Sequence, residues 1–462
     1  MAIFGALLAA QLARAALLFV TQDWEVIRFL YPVDFGEGAL LDQSIRLARF
    51  EPIYRIDLAT PPYIVDNYPP LFALIQVPFV WLFGPAYWYG RVISCVSILV
   101  AAVLIGCTLY TLTEDRLAGL ICGALLLACP HVLYWSALDR IDALALAFSC
   151  AGLYVIVRHG QAWKGLISGT LLFTAAIYTR QSYALVAPAT AFVWLLSIKQ
   201  RPRAVQLAGF TAALNLSLFA VLDLLTQGGF FFHIVTANVN YFSWEVVWTY
   251  VKMIFIQMPV MVFAVLFASV GLLPLDEARR RPAWWVITPY FCASLLTAVT
   301  IGKVGSNVNY LFELMVAFCL AVGEVIALTR TYKWARTLVF AAVTLQVYAL
   351  VNWSLAVIPH ETPILTAQRE ELYKMVQTTP GTVLADEALG MIPLSGRELY
   401  IQPFAQKQLA DAALWDQQPF INAIRRDEFS VILLYKHQRA ERWTNEMLSA
   451  IQSSYRLQRS VG

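Results

Sequence analysis

Charge is what this chain has least of. Asp, Glu, Lys and Arg make up 14% of its 462 residues, against 59% hydrophobic. A soluble globule carries about a quarter charged, so a water-soluble fold is excluded. The net charge is only +3 and is spread through many loops, which leaves no basic face for nucleic acid. The seven cysteines, Cys95, Cys107, Cys122, Cys129, Cys150, Cys292 and Cys319, all fall in apolar stretches. Neither a disulfide framework nor a CxxC metal site follows. The five histidines, His131, His159, His233, His360 and His437, are scattered without an HxxxH pair, so no metal set is expected among them. Gly36 and Gly38 do not form part of a GxGxxG, and no other nucleotide-cradling glycine loop occurs. Repeats and low-complexity segments are absent.

What is present is apolar length. A helix needs about 20 apolar residues to cross a hydrocarbon core of roughly 30 Å. The windows 92–112, 204–222, 253–273 and 337–358 reach or approach that without a charge. Eleven long apolar stretches fill residues 1–358, which predicts an all-α polytopic membrane bundle of about eleven transmembrane helices. The first twenty residues lack a basic n-region, and Gln11 and Arg14 interrupt the run; they read as the first membrane helix rather than a cleaved signal. As one helix, residues 164–198 would be about 50 Å long, so two helices are expected, with Arg180 and Gln181 at the turn. The short run 70–84 opens after Pro69, begins with Pro70 and contains Pro78. It is expected as a re-entrant or interfacial hairpin that does not cross.

Ordinary charge density returns in residues 359–462. Short β runs at Thr382–Ala385, 399–402, 430–435 and 455–459 alternate there with helical patterns near 365–378, 404–426 and 439–452, which predicts a small C-terminal α/β domain.

Positive charge beside membrane helices stays cytoplasmic. After residue 113, five loops hold twelve cations: Arg116; Arg158 and Lys164; Lys199, Arg201 and Arg203; Arg279, Arg280 and Arg281; Arg330, Lys333 and Arg336. The four loops between them hold only Arg140, Arg180, Lys252 and Lys303. The crowded set is therefore expected inside and the sparse set outside, with the tail after Pro359 exoplasmic.

The outer loop 22–68 is long, and such loops are usually functional. It carries Asp34, Gly36, Glu37 and Gly38, then a helical pattern through Leu41, Ile45 and Ala48. Two carboxylates three residues apart can share one helix face; they also suit a helix N-terminus with no further role. The segment Asp66-Asn67-Tyr68-Pro69-Pro70 fixes the entry into the next apolar run, and a turn alone would explain it. The cluster Asp139-Arg140-Ile141-Asp142 reads equally as an internal salt bridge with an N-cap. In residues 302–310, small residues let backbone approach a ligand, beside the lone cation Lys303 and the amides Asn307 and Asn309. Each has a plain structural explanation alone, but all come from different loops of one membrane face. An acidic site ringed by cations is what transfer from a phosphate-linked donor needs: a base for the nucleophile and positive charge for the departing phosphate. The candidate catalytic residues are Asp34 and Glu37. The candidate substrate-binding residues are Tyr68, Arg140, Asp142, Arg180, Gln181, Lys303, Asn307 and Asn309.

The order of these motifs, VDFGEGALL, YPPLFALIQ, DRIDALALAF, TRQ and GSNVNYLFEL, followed by an exoplasmic tail, resembles the GT-C superfamily of membrane glycosyltransferases. It is most similar to the bacterial branch related to protein O-mannosyltransferases and lipid A aminoarabinose transferases. The resemblance covers nearly the whole chain and lies in the order of short motifs. It implies a transmembrane catalytic region, residues 1–358, and an exoplasmic domain, residues 359–462, in the plasma (inner) membrane. It also implies transfer, usually with inversion, of a sugar from a polyprenyl-phosphate carrier to an acceptor hydroxyl on a glycan, lipid or protein. An acid of the first outer loop would be the base. Relatives often carry adjacent Asp-Glu there, whereas this chain has Gly36-Glu37 with Asp34 upstream; Asp34 is favoured, and Glu37 stays open. Arg180 and Lys303 would bind the carrier phosphate, and Arg140 with Asp142 would shape the site. No resident cofactor is implied, and a divalent cation on the outer carboxylates stays open. Two rivals share the hydropathy. A lipid or solute transporter should place charges or broken helices near the midplane, and a non-catalytic subunit should tolerate loss of Asp34 and Glu37. Asp386-Glu387 in the tail reads as a surface loop or as an acceptor contact.

Overall fold

The computed structural model describes residues 2–269, 281–357, 363–437 and 439–461. Arg279, Arg280 and the domain boundary expected at 358/359 lie outside them.

The molecule is a helical bundle. In chain order come α1 (Ala2–Arg28), α2 (Phe35–Ala48), α3 (Leu71–Phe83), α4 (Trp88–Thr113), α5 (Arg116–Ala128), α6 (Pro130–Trp135), α7 (Ile141–His159), α8 (Trp163–Thr179), α9 (Val186–Ser197) and α10 (Arg201–Leu225). After a π-helical turn, Phe232–Thr236, follow α11 (Trp244–Gln257), α12 (Pro259–Ser269), α13 (Trp284–Ala298), α14 (Phe312–Leu328) and α15 (Lys333–Val357). Among the described residues seven helices are long and apolar enough to cross a membrane, or eight if the bent pair α11–α12 counts as one span. The expected eleven is reached only if α5, α8 and α9, of 13, 17 and 12 residues, cross as well.

Local chemistry sets the ends of these helices. Asp115 caps α5 by accepting from the amides of Leu117 and Ala118, and Glu114, at φ 56°, closes α4 in the left-handed conformation. Small residues bring α4 and α5 together: a Cβ on Gly106 would lie 2.7 Å from the carbonyl oxygen of Gly119, so only glycine allows this backbone approach. α14 is the axis of the core, with its residues almost all buried.

Two apolar runs fold differently from expectation. Residues 71–83 are one helix, not a hairpin; Pro78 is accommodated, and the reversal comes only at Gly84, φ 73°. The charge-free window 253–273 is broken by a 96° bend between α11 and α12. Pro259 supplies no amide hydrogen to continue the helix, and Met258 sits there outside helical geometry at φ −128°, ψ 41°. Residues 270–273 lie outside the described segments.

The tail holds α16 (Pro363–Thr378), α17 (Pro403–Asp411), α18 (Gln418–Arg425), α19 (Asn445–Ser454) and one two-stranded parallel sheet, β1 (Thr382–Ala385) with β2 (Phe429–Leu433). Of the other two β runs, 399–402 supplies a single bridge, Ile401 to Tyr63 of the outer loop, and 455–459 forms no strand. Outer loop and tail form a joint layer: Tyr63 exchanges backbone hydrogen bonds with Tyr400 and Gln402, and the Trp415 indole donates to the Leu58 carbonyl at 2.9 Å. The layer rests on α2, where Gly38 faces Gly390. A Cβ on Gly38 would lie 2.5 Å from the Gly390 Cα, so Gly38→Ala is expected to destabilise the docked tail by about 1–3 kcal/mol. Limited proteolysis of the tail and the thermal midpoint check this.

Candidate active site

The site begins at the N-terminus of α2. Asp34 is its N-cap, with Oδ2 accepting from the Gly36 amide at 2.8 Å, and Glu37 completes a capping box. The two carboxylates then part company. Glu37 is fully buried against fully buried Arg91 of α4, each 0% exposed. Its Oε1 accepts from Arg91 Nε at 2.9 Å and the Asp139 amide at 2.8 Å. Its Oε2 accepts from Arg91 Nη2 at 2.8 Å, the Val33 amide at 2.7 Å and the Asp34 amide at 3.3 Å. Burial alone would raise this carboxyl; Arg91 and the amides override it and hold Glu37 below the ordinary range. Arg91 in turn donates to the carbonyls of Val26, Phe29 and Tyr31, tying α1, α2 and α4 together.

Asp34 is the freer acid. Its side chain is 25% exposed, Arg140 Nη1 lies 3.4 Å from Oδ2, and Oδ1 accepts no hydrogen bond among the described residues. Burial pushes its carboxyl above the ordinary range, against the pull of Arg140 and with Glu37 adding to the rise. Such a carboxylate has a lone pair available and more than ordinary basicity.

From Asp34 the contacts run inward across four loops. The Arg140 guanidinium lies 5.3 Å from the centre of the Trp135 ring, and the Trp135 indole donates to Asp142 Oδ2 at 2.8 Å. The other Asp142 oxygen pairs with Arg180, whose guanidinium lies over the Tyr310 ring at 4.2 Å. Arg140 and Asp142 therefore pair with distant partners instead of each other, because residues two apart at a helix start point to different sides. The half-buried Tyr68 lies within this cluster: burial pushes its hydroxyl up, while Arg140 and Arg180 pull it down. Arg180 closes α8, and Gln181 opens the 3-10 turn leading to α9.

At Gln181, the residue after Arg180, opens an apolar cavity of about 450 Å³. Ile177, Tyr178, Leu216, Phe219 and Phe230 make its walls, and Gln181 and Lys303 bring polar groups to it. Gln181 Nε2 donates to the Asn67 carbonyl at 3.1 Å. Lys303 is half-buried with no carboxylate partner among the described residues. The walls come from α8, α10 and the π-helical turn. The segment 70–84 contributes no residue to the lining, whereas Pro69 just before it does. Asn307 is a cap, its Oδ1 accepting from the Val308 amide at 2.8 Å. Asn309 is buried near Arg180.

Several residues escaped sequence reading. Arg91 is a lone cation at the edge of a 26-residue apolar helix, and that isolation was the available signal. Asp139 packs on Gly90 and accepts from Gln76 at 2.9 Å; nothing in its spacing marks it out from Asp142. Glu313, in the first turn of α14, is buried and was hidden inside an apolar run. The tail also reaches the site. Asp386 is committed to the amides of Glu387 and Tyr435 and the indole of Trp443, whereas Glu387 pairs with Arg442 at 2.5 Å. Burial raises the Glu387 carboxyl against Arg442, and the field of Asp34 adds to the rise. Arg442 also lies over the rings of Phe35 and Phe404 at 4.4 and 4.9 Å. No group of three or more His, Cys, Asp or Glu side chains that could hold a metal gathers among the described residues.

The backbone superposes on ArnT from Cupriavidus metallidurans bound to undecaprenyl phosphate with a TM-score of 0.61 at 14% identity, covering 90% of both chains. The apo state of ArnT gives 0.60 at 13% identity over 92% of both chains. The chain has the GT-C fold. This GT-C frame extends to the archaeal oligosaccharyltransferase AglB from Archaeoglobus fulgidus in complex with an inhibitory peptide and a dolichol-phosphate, at TM-score 0.53 and 11% identity over 86% of this chain and 64% of that one. Residues 67–225 match the family model described as dolichyl-phosphate-mannose-protein mannosyltransferase. That segment of the GT-C frame runs from Asn67 through Arg140, Asp142, Arg180 and Gln181 to the end of α10. No curated protein sequence matches the chain.

Proposed function

We propose that this multi-pass membrane protein transfers a sugar from a polyprenyl-phosphate carrier to an acceptor hydroxyl. The observation that carries the reading is the meeting of an apolar cavity with Gln181 and with Lys303, which has no carboxylate partner among the described residues, and of Arg180, the neighbour of Gln181, with Asp34 through one connected set of contacts. The prenyl chain lies in the apolar cavity and its phosphate meets Lys303 and Arg180. Asp34 Oδ1 takes the proton of the acceptor hydroxyl as that oxygen bonds to the anomeric carbon. The carbon–oxygen bond to phosphate breaks, and the electron pair leaves on the carrier phosphate, where the two cations stabilise the charge. Attack opposite the leaving phosphate inverts the anomeric centre. The relatives bound to undecaprenyl phosphate and dolichol-phosphate support a carrier of this class. The 96° break between α11 and α12 is a feature that a transporter would share, but the relatives bound to polyprenyl phosphates favour transfer.

The loop charges support a plasma (inner) membrane orientation with this site and the tail exoplasmic. Consistent with that, Arg336 pairs with Asp115 at 3.1 Å and Arg330 donates to the Thr113 carbonyl, so cations of the crowded loops gather at the far end of α4, about 33 Å along the helix from Arg91 at 1.5 Å per residue. In the same reading residues 1–358 hold the catalytic machinery and residues 359–462 cover it from outside, with the acceptor entering between.

Transfer from labelled polyprenyl-phosphate sugars by the purified protein in nanodiscs tests the reaction; absence of transfer from every sugar tried, together with no affinity for undecaprenyl phosphate, would sink it. Lys303→Met is expected to weaken undecaprenyl phosphate binding about 10- to 100-fold, the range of one charge-assisted contact. Its affinity for undecaprenol, which lacks the phosphate, should not change.

A further inference from the structure

Arg180 borders a second, far smaller cavity of about 10 Å³, room for a single water-sized group. Asn309, Glu313, Thr297, Thr300 and Tyr183 share in lining it. Two of these residues carry buried oxygens without a hydrogen-bond partner, Asn309 Oδ1 and Glu313 Oε1, in side chains of residues only 4% and 5% exposed. The nearby hydroxyls do not serve them. Thr297 donates to the Ser294 carbonyl, Thr300 to the Thr297 carbonyl and Tyr183 to the Asp142 carbonyl, while Asp142 takes one nitrogen of Arg180. No hydrogen bond among the described residues reaches these two oxygens, although Ser182, Tyr310 and the remaining N–H groups of Arg180 also border the slot. Buried oxygens left so are costly, and two of them bordering one slot leave a place for a hydrogen-bonding group of a bound molecule.

The position of the slot says which molecule supplies it. The slot lies on the Arg180 flank, which in the glycosyl-transfer reading is the side of the carrier phosphate and its sugar, whereas that reading draws the acceptor to Asp34 on the Arg140 flank. A sugar bonded to a phosphate at Arg180 brings its ring substituents against the residues bordering Arg180, and the slot's size admits one of them.

We propose that this slot holds one hydrogen-bond-donating hydroxyl of the carrier-linked sugar, and that Glu313 and Asn309 thereby decide which sugar is transferred. The inference rests on the glycosyl-transfer reading above and adds a specificity-determining pair to it. A site built to accept a substrate hydroxyl discriminates strongly against the analogue lacking it, because its acceptors are then stranded.

The test uses the full-length protein in nanodiscs with undecaprenyl phosphate, with its glucosyl, mannosyl, galactosyl and xylosyl derivatives, and with the monodeoxy forms of the best donor. Glu313→Gln and Asn309→Leu are expected to bind undecaprenyl phosphate as the wild type does, which also reports that they are folded. Each should lose about 10²- to 10³-fold in kcat/KM on the best donor. For one deoxy form alone, variant and wild type should become equal. Unchanged ratios of donor to every deoxy form in both variants would mean that the slot holds only water, overturning the inference while leaving the carrier reading intact. Loss of undecaprenyl phosphate binding in both variants would mark a structural role and overturn it as well. A wild type that binds none of these lipids would remove the glycosyl-transfer reading, and the slot with it.

Discussion

Asp34→Asn is expected to lower turnover about 10²- to 10⁴-fold, the usual weight of a positioned general base, with KM for the carrier-linked donor nearly unchanged. The amide keeps the N-cap bond to Gly36 and the size of the side chain, and it loses the ability to take a proton along with the charge facing Arg140. The pH dependence gives an independent check. Burial places the Asp34 carboxyl above the ordinary carboxylate range, and the ionised form is the active one. kcat/KM should therefore be flat at high pH and fall as pH drops through that raised value, earlier than an exposed aspartate with its ordinary value of 3.8 would require. Single-turnover rates across pH, in wild type and variant, measure both effects. Near-normal turnover in Asp34→Asn would remove Asp34 as the base.

Glu37→Gln is expected to damage the fold before it damages the chemistry. The change leaves the Arg91 guanidinium buried with only neutral hydrogen-bond partners, and breaking one side of a buried pair costs about 3–5 kcal/mol. The sign with pH follows from the depressed Glu37 carboxyl: the stability it contributes is fully present above the unfolded value near 4.5 and is lost as pH falls through the lower folded value. Replacing both partners, Glu37→Gln with Arg91→Met, should cost less than the sum of the single changes, because neither charge is then stranded. Thermal midpoints of the three variants decide this. Equal and additive losses would mean that the pair is not the lock between α1, α2 and α4.

These two outcomes separate carboxylates that local spacing treats alike. Asp34 and Glu37 stand three residues apart at a helix start, a pattern that a capping box and a catalytic pair share. Nothing in the segment itself says that Arg91, 54 residues on, saturates one of them. The same holds for Arg140 and Asp142, near neighbours in the chain that each pair with a residue from another loop. Glu313 was concealed for a related reason: one acid in an apolar run reads as a helix-end residue until α13 and the 3-10 turns beside α14 close a slot around it. The tail was legible in its helices and in Thr382–Ala385. It was misleading in its count of strands, because short β-prone runs become a sheet only where a partner edge is available.

By itself the sequence determined the membrane-embedded helical class, since burying so much apolar surface in a chain so poor in charge leaves no soluble alternative. It also determined which loops carry the polar residues, because charges inside lipid are costly and collect at helix ends. Only the tertiary structure decided which acid is locked and which is free, which cations keep an open partner, and where an apolar cavity meets them. Those outcomes depend on pairings between segments tens to hundreds of residues apart, set by how the helices pack and not by any local period.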